Sequence, residues 1–275
     1  MSFKLLMPVD ERELKSMLGG EDCKIMAGGT DLLVRIRSGR LSPSRIVSLA
    51  RMKGMDGILD LGEEVSIGSR VTMSELLKCE LIAASCPILP MVVREIGSPQ
   101  IRNRATLAGN LVNASPAGDS IMALYLSNAT VVISGVNGER REKVSSFIKG
   151  PGRTTLSRDE YVGAILLEKT PGYFPQFYKV GQRSAMAIAV ASVGSLISGQ
   201  EIRMAFGSVA PTVAVPEKAC EYFEKAGEKF DDGEFARLAM LAISPIDDVR
   251  ASAWYRSTVV KNLVQRTLNV WRKKG

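Results

Sequence analysis

Apolar and polar positions divide the chain into two stretches of different character. In the first, short strand and helix signals interleave. Residues 5–8 read as a strand and residues 10–18 as a helix, with Asp10 as N-cap, Glu11 and Glu13 in the first turn and Gly19-Gly20 ending it. Residues 24–26 read as a brief strand, residues 31–37 as the start of a short helix and residues 45–49 as another strand. Residues 57–68 alternate as a hairpin does, and Thr72 with Glu75 makes the Thr-x-x-Glu capping box of a following helix. A helix is predicted over 87–96, with Met91, Val92 and Ile96 on its buried face, and another over 119–126. A strand follows at 130–134, and Val136-Asn137-Gly138-Glu139 carries the Asn-Gly pair of a tight hairpin turn.

The pattern breaks at Thr170-Pro171-Gly172-Tyr173-Phe174-Pro175, which predicts a domain boundary there: residues 1–170 before it, 171–275 after it. Beyond the break, residues 178–180, 190–198 and 203–209 read as strands of an antiparallel sheet, and 217–226 and 232–242 as helices. Val260, Leu263, Val264, Thr267, Leu268 and Trp271 recur at helical spacing in the last helix, an apolar stripe expected to pack on the sheet of its own domain. The fold class this predicts is α+β.

Two turns stand out against this background. One is Ala27-Gly28-Gly29-Thr30-Asp31-Leu32, entered from an apolar strand. The other runs from Ile96-Gly97-Ser98-Pro99 through Arg102-Asn103-Arg104 to Thr106-Leu107-Ala108-Gly109-Asn110. Glycine permits positive φ and close backbone approach, so such turns can aim several N–H groups at one anion. Two of them suit the two phosphates of a dinucleotide. Either alone is a common chain reversal.

Composition narrows the chemistry. The chain has 275 residues, 45% of them hydrophobic and 24% charged, ordinary values for a globular protein with a sizeable core. It holds no apolar run long enough to span a membrane, and its N-terminus is broken too early by Pro8 to read as a signal peptide, so a cytoplasmic protein is expected. Its four cysteines, Cys23, Cys79, Cys86 and Cys220, form no Cys-x-x-Cys pair, which speaks against an iron–sulfur cluster within the chain. Histidine is absent, which removes Ser-His-Asp catalysis and His-ligated zinc. A redox cofactor fits an enzyme so equipped. The net charge of +7 comes from scattered Lys and Arg with only 6% aromatics, thin for a nucleic-acid surface. An anionic cofactor or an acidic partner explains it as well.

The wording of the two turns, with Asn113-Ala114-Ser115-Pro116-Ala117-Gly118-Asp119-Ser120 after the second, resembles the FAD-binding (medium) subunits of molybdenum hydroxylases. Further landmarks of that family recur in order: Ile67 to Thr72, Gly150 to Thr154, Lys179 with Arg183, Gly207 to Thr212, and Ser244 to Arg250 with Tyr255-Arg256. The resemblance implies an FAD-binding domain of the vanillyl-alcohol-oxidase type, in subdomains of about 1–55 and 56–170, then a small α+β domain with a three-stranded antiparallel sheet. It implies that Ala27, Gly28, Gly29, Thr30 and Asp31 wrap the FAD pyrophosphate with Leu32 close by, and that Thr106, Gly109 and Asn110 complete the site. Asn113 and Asp119 match positions contacting the nucleotide part, with Asp119 away from the phosphates. Ile96 and Val162 match apolar positions lining the flavin, and Lys179 a lysine at the isoalloxazine edge. The implied partners are a molybdenum-cofactor subunit and an iron–sulfur subunit, with NAD+ as the usual electron acceptor.

Two departures from the family wording carry expectations. Ala108 stands where a glycine is frequent; if that position needs positive φ, the turn is strained and FAD affinity weakened. Gly118 stands where alanine is common. The alternatives to an electron-transfer subunit are an independent FAD oxidoreductase on the same fold and a nucleotide-binding scaffold subunit. Apart from the resemblance, Asp31 reads equally as a helix cap and Lys179 as a solvated charge.

Overall fold

The computed structural model describes residues 3–18 and 22–274. The expected helix stop at Gly19-Gly20 lies outside them. Strands β1 (Lys4–Leu6), β2 (Cys23–Met26) and β3 (Arg45–Ser48) form a parallel sheet in the order β1-β3-β2. Helices α1 (Glu11–Met17) and α2 (Leu32–Arg37) belong to the crossovers. Asp10 caps α1 as read, its carboxylate accepting the Glu13 amide at 2.8 Å.

A five-stranded sheet follows, in the order β4-β5-β10-β6-β7. It comprises β4 (Ile58–Asp60), β5 (Glu64–Gly68), β6 (Thr130–Gly135), β7 (Gly138–Lys143) and β10 (Glu160–Glu168), every pairing antiparallel. A two-stranded ribbon of β8 (Ile148–Gly150) and β9 (Arg153–Thr154) stands apart. Helices α3 (Met73–Lys78), α4 (Glu80–Ser85), α5 (Ile88–Arg94), α6 (Pro99–Arg102), α7 (Leu107–Asn113), α8 (Asp119–Leu126) and α9 (Val144–Phe147) fill the connections. The capping box of α3 is complete, with Glu75 receiving the Thr72 amide at 2.7 Å. The face that α5 buries differs from the predicted one. Ile88, Leu89, Val92 and Val93 are buried, whereas Met91 and Ile96 are half-buried, because the helix stops at Arg94 and Ile96 falls in the turn beyond it.

After Glu168 the chain enters the antiparallel sheet β11-β12-β13, made of Phe174–Gly181, Ala189–Ile197 and Ile202–Gly207. Helices α10 (Glu217–Ala226), α11 (Asp232–Ala239) and α12 (Ala253–Arg272) cover one face of it. The apolar stripe of α12 does pack within its own domain: Val260, Val264 and Leu268 join Val193, Met204 and Phe206 of the sheet in one core, with Leu263 and Trp271 at its margin. The opposite face rests on α8. A Cβ at Gly194 would meet Met122 and Leu126 at 2.9 Å, so the glycine sets how closely the sheet seats on that helix. Leu196 and Ala205 thereby belong to the core of the first domain.

Candidate cofactor site

The two glycine turns meet. A Cβ at Gly28 would lie 1.8 Å from the Arg104 carbonyl oxygen, so only glycine allows the first turn to touch the second. Gly29 beside it has φ +76° and Gly97 has φ +52°, conformations that glycine adopts without strain. The five successive amides of Gly28, Gly29, Thr30, Asp31 and Leu32 donate to no acceptor among the described residues; the first to do so is Leu33, to Gly29 O at 3.1 Å. Buried amides in native proteins almost always have partners, whereas Gly28, Gly29, Thr30 and Leu32 are half-buried and Asp31 is exposed, so their amides are open to solvent or to a ligand. A run of them left open at one turn is a ready anion cradle. The Thr30 hydroxyl, half-buried there, adds a possible donor. Asp31 precedes α2, but its side chain makes no capping bond, and its nearest cation is Arg35 at 3.9 Å. The helix-cap reading of Asp31 is therefore not what the structure shows.

The second turn is fastened from behind. Arg102 donates to the carbonyls of Ile96 and Gly97 at 2.9 and 3.0 Å, closing the end of α5. Ala105 O accepts the Met73 amide at 2.8 Å, and Thr106 forms a bridge with Thr72. Thr106 caps α7 by accepting the Gly109 amide at 3.0 Å. Positions 106, 110 and 113 then fall on one face of α7, because steps of four and three residues each complete about one turn. Asn110 accepts the Ser120 hydroxyl at 2.7 Å, which turns its amide group in a definite direction. Asn113, half-buried, continues the face.

The Ala108 expectation is overturned. Ala108 is a buried residue inside right-handed α7 and is not among the positive-φ positions, so it strains nothing. The left-handed non-glycine residue nearby is Ala114, which ends α7 at φ 46°. Gly118 suits its place: a Cβ there would stand 3.0 Å from Ser115 O and 3.2 Å from the Asn110 side-chain oxygen.

Between the turns lies a cleft of about 120 Å³, lined by Ala27 and Gly28 on one side and Arg104 and Thr106 on the other. Leu49, Ala50, Arg70 and Thr72 complete it. These last two, and Arg104, were missed as site residues by sequence reasoning. Arg70 lies within the Ile67 to Thr72 landmark, but only the fold brings β5 against the turns. It is held there by the carbonyls of Ala50, at 3.0 Å, and Met52, and by Asp56 at 3.2 Å.

The residues expected near the flavin ring separate into an apolar and a charged group. Ile96 is half-buried against the main core. Val162 is 5% exposed on β10, at a bulge opposite Ile133. Lys179 of β11 and Asp119, the first residue of α8, form a buried ion pair, Nζ to Oδ2 2.7 Å. Ser192 donates to the other Asp119 oxygen at 3.3 Å, and Lys179 also donates to Glu95 O at 2.9 Å. Burial pushes the Asp119 carboxyl up from its usual range, against the downward pull of Lys179. The sequence presented these two residues as separate contacts; the structure joins them, so the lysine charge arrives already balanced. Neither lines the cleft between the turns.

An anion cradle of open amides, two turns in backbone contact and an α+β frame with a three-stranded C-terminal domain suit a protein that holds a dinucleotide. Residues 1–167 match the FAD binding domain in molybdopterin dehydrogenase and residues 176–270 the CO dehydrogenase flavoprotein C-terminal domain, and the chain belongs to this family. It is 30% identical over 264 residues to the glyceraldehyde dehydrogenase medium chain of Sulfolobus acidocaldarius, covering 93% of each chain. To the xanthine dehydrogenase FAD-binding subunit of Escherichia coli O157:H7 it is 28% identical, over 90% of this chain and 87% of that one. A solved structure of carbon monoxide dehydrogenase from Hydrogenophaga pseudoflava superposes with a TM-score of 0.89 at 27% identity, over 98% of this chain and 96% of the other.

Proposed function

We propose that the chain is the electron-transfer subunit of a cytoplasmic molybdenum hydroxylase. In this reading it receives electrons from an iron–sulfur subunit, itself supplied by a molybdenum-cofactor subunit, and delivers them to NAD+. Bound FAD would supply the exchange between one-electron and two-electron steps that such a junction needs. The observation that carries the reading is the run of open amides from Gly28 to Leu32, in a turn that abuts the second turn at Gly28 and Arg104. Those amides and the Thr30 hydroxyl would hold the diphosphate, and the α7 face bearing Asn110 and Asn113 would take the nucleotide part. Ile96 and Val162 would give the flavin an apolar wall that limits water. Lys179, with one N–H beyond its bonds to Asp119 and Glu95 O, would orient the ring edge rather than supply a net charge.

This chain contributes no acid or base of its own to the reading. It has no histidine, and among the described residues no cluster of acids or cysteines could hold a metal. No helix among those residues is long and apolar enough to cross a membrane. The test is the visible spectrum of the purified chain after loading with FAD and desalting, then with NADH added anaerobically. Flavin bands that survive and bleach support the reading. Bands that ignore NADH reject NAD+ as acceptor, and a chain that stays colourless rejects the site.

A further inference from the structure

The second turn carries two arginines two residues apart, and the structure gives them opposite employments. Arg102 is spent on structure: its Nη1 donates to the carbonyls of Ile96, Gly97 and Arg94 at 2.9, 3.0 and 3.3 Å. Arg104 makes no side-chain hydrogen bond or ion pair with any described residue, yet it lines the cleft between the turns, and its backbone is the point at which Gly28 touches. Arg70, across the cleft, is anchored by two carbonyls and by Asp56. Arg104 thus carries an exposed guanidinium left unengaged on a residue that lines the same cleft as Ala27 and Gly28, where the first turn begins its run of open amides.

The charge balance explains why a cation is needed there. A diphosphate diester carries about two negative charges, while amides offer only partial positive charge. The first turn brings its own carboxylate, Asp31, which sits 3.9 Å from Arg35 on an exposed helix and is neutralised only weakly. A planar guanidinium forks onto two phosphate oxygens, and such charge-assisted bonds are the strong ones. We propose that Arg104 is a binding residue for the FAD diphosphate, closing over it from the second turn while Gly28 to Leu32 hold it from the first. This rests on the site being the FAD site.

The experiment compares full-length wild type with Arg104→Gln and Arg104→Lys, titrated with FAD and with riboflavin, by flavin fluorescence and by equilibrium dialysis. The Arg104 side chain has no hydrogen-bond or ion-pair partner among the described residues, so both variants should unfold at the wild-type temperature. Arg104→Gln should weaken FAD binding roughly ten- to hundredfold, the usual scale for one lost charge-assisted contact. Riboflavin, which lacks phosphate, should be bound equally by all three. Arg104→Lys should recover part of the loss, because it restores the charge without the fork. Wild-type FAD affinity in Arg104→Gln, or an equal loss for riboflavin and FAD, overturns the proposal. A wild-type chain that binds neither flavin removes its premise, a result distinct from either.

Discussion

Lys179 and Asp119 meet across the boundary between the two domains, Nζ 2.7 Å from Oδ2, with side chains only 9% and 4% exposed. The lysine comes from β11 of the C-terminal sheet, the aspartate from the start of α8, and Ser192 of β12 completes the group at 3.3 Å. The C-terminal domain therefore reaches into the first domain with a charge as well as with Leu196 and Ala205 of the shared core.

Breaking this pair from one side should be costly. Lys179→Met leaves a buried carboxylate with only a hydroxyl beside it, and is expected to destabilise the protein by about 3–5 kcal/mol. The double variant Lys179→Met/Asp119→Leu should recover much of that, because it removes the uncompensated charge. Urea unfolding of the two variants and wild type checks this; equal stability of the single and double variants would contradict it.

Gly28→Ala should separate the two turns. Its Cβ would press on the Arg104 carbonyl at 1.8 Å, and overpacking of this kind costs about 1–3 kcal/mol. FAD affinity should fall at least tenfold. Gly199→Ala, where nothing lies within 4 Å, is the control and should bind FAD as wild type does. Dialysis against FAD reads both.

Acid should weaken the ion pair that ties β7, an edge strand of the five-stranded sheet, to the start of the central strand β10. Hydrogen bonds from Arg140 hold the Glu160 carboxyl at about 2, well below its usual range. A lowered folded-state value contributes stability that is fully present above the unfolded pKa, about 4.3, and is lost as pH falls through the folded one. Wild type should therefore lose its advantage over Glu160→Gln between about pH 4.3 and pH 2. Thermal unfolding of the pair at pH 7, 4 and 2.5 gives the comparison. A constant difference across that range would refute the assignment.

Cys86 should be inert in the folded protein. Its thiol is fully buried, and burial pushes it up to about 12. Cys220 is raised to about 11 by the same cause. The thiolate is the reactive form, so neither should label with iodoacetamide at pH 8 until denaturant is added. Peptide mapping after a timed reaction shows which cysteines were modified; early labelling of Cys86 would contradict the packing.

Local signals decided much of this protein. Asp10, Thr72 with Glu75 and the apolar stripe of α12 each depend on neighbours a few residues away, and they sit in the structure as the sequence spells them, while the expected Asn-Gly hairpin forms one residue earlier, with Val136 and Asn137 as its loop and Gly138 already in β7. The wording of the two turns likewise pointed to the family, since chain direction and glycine placement are written in consecutive residues. What the turns do together depends on the fold. That Gly28 abuts Arg104, that Arg102 is spent on carbonyls while Arg104 is not, and that Ala108 lies harmlessly in a helix all follow from how β2, α5 and α7 are packed. Lys179 and Asp119 stand 60 positions apart in the numbering and bond only because the C-terminal sheet seats on α8. Backbone preference and periodicity act over a turn or two, so a chain can announce its elements. The partner of a buried charge is chosen by tertiary packing, which no local pattern encodes.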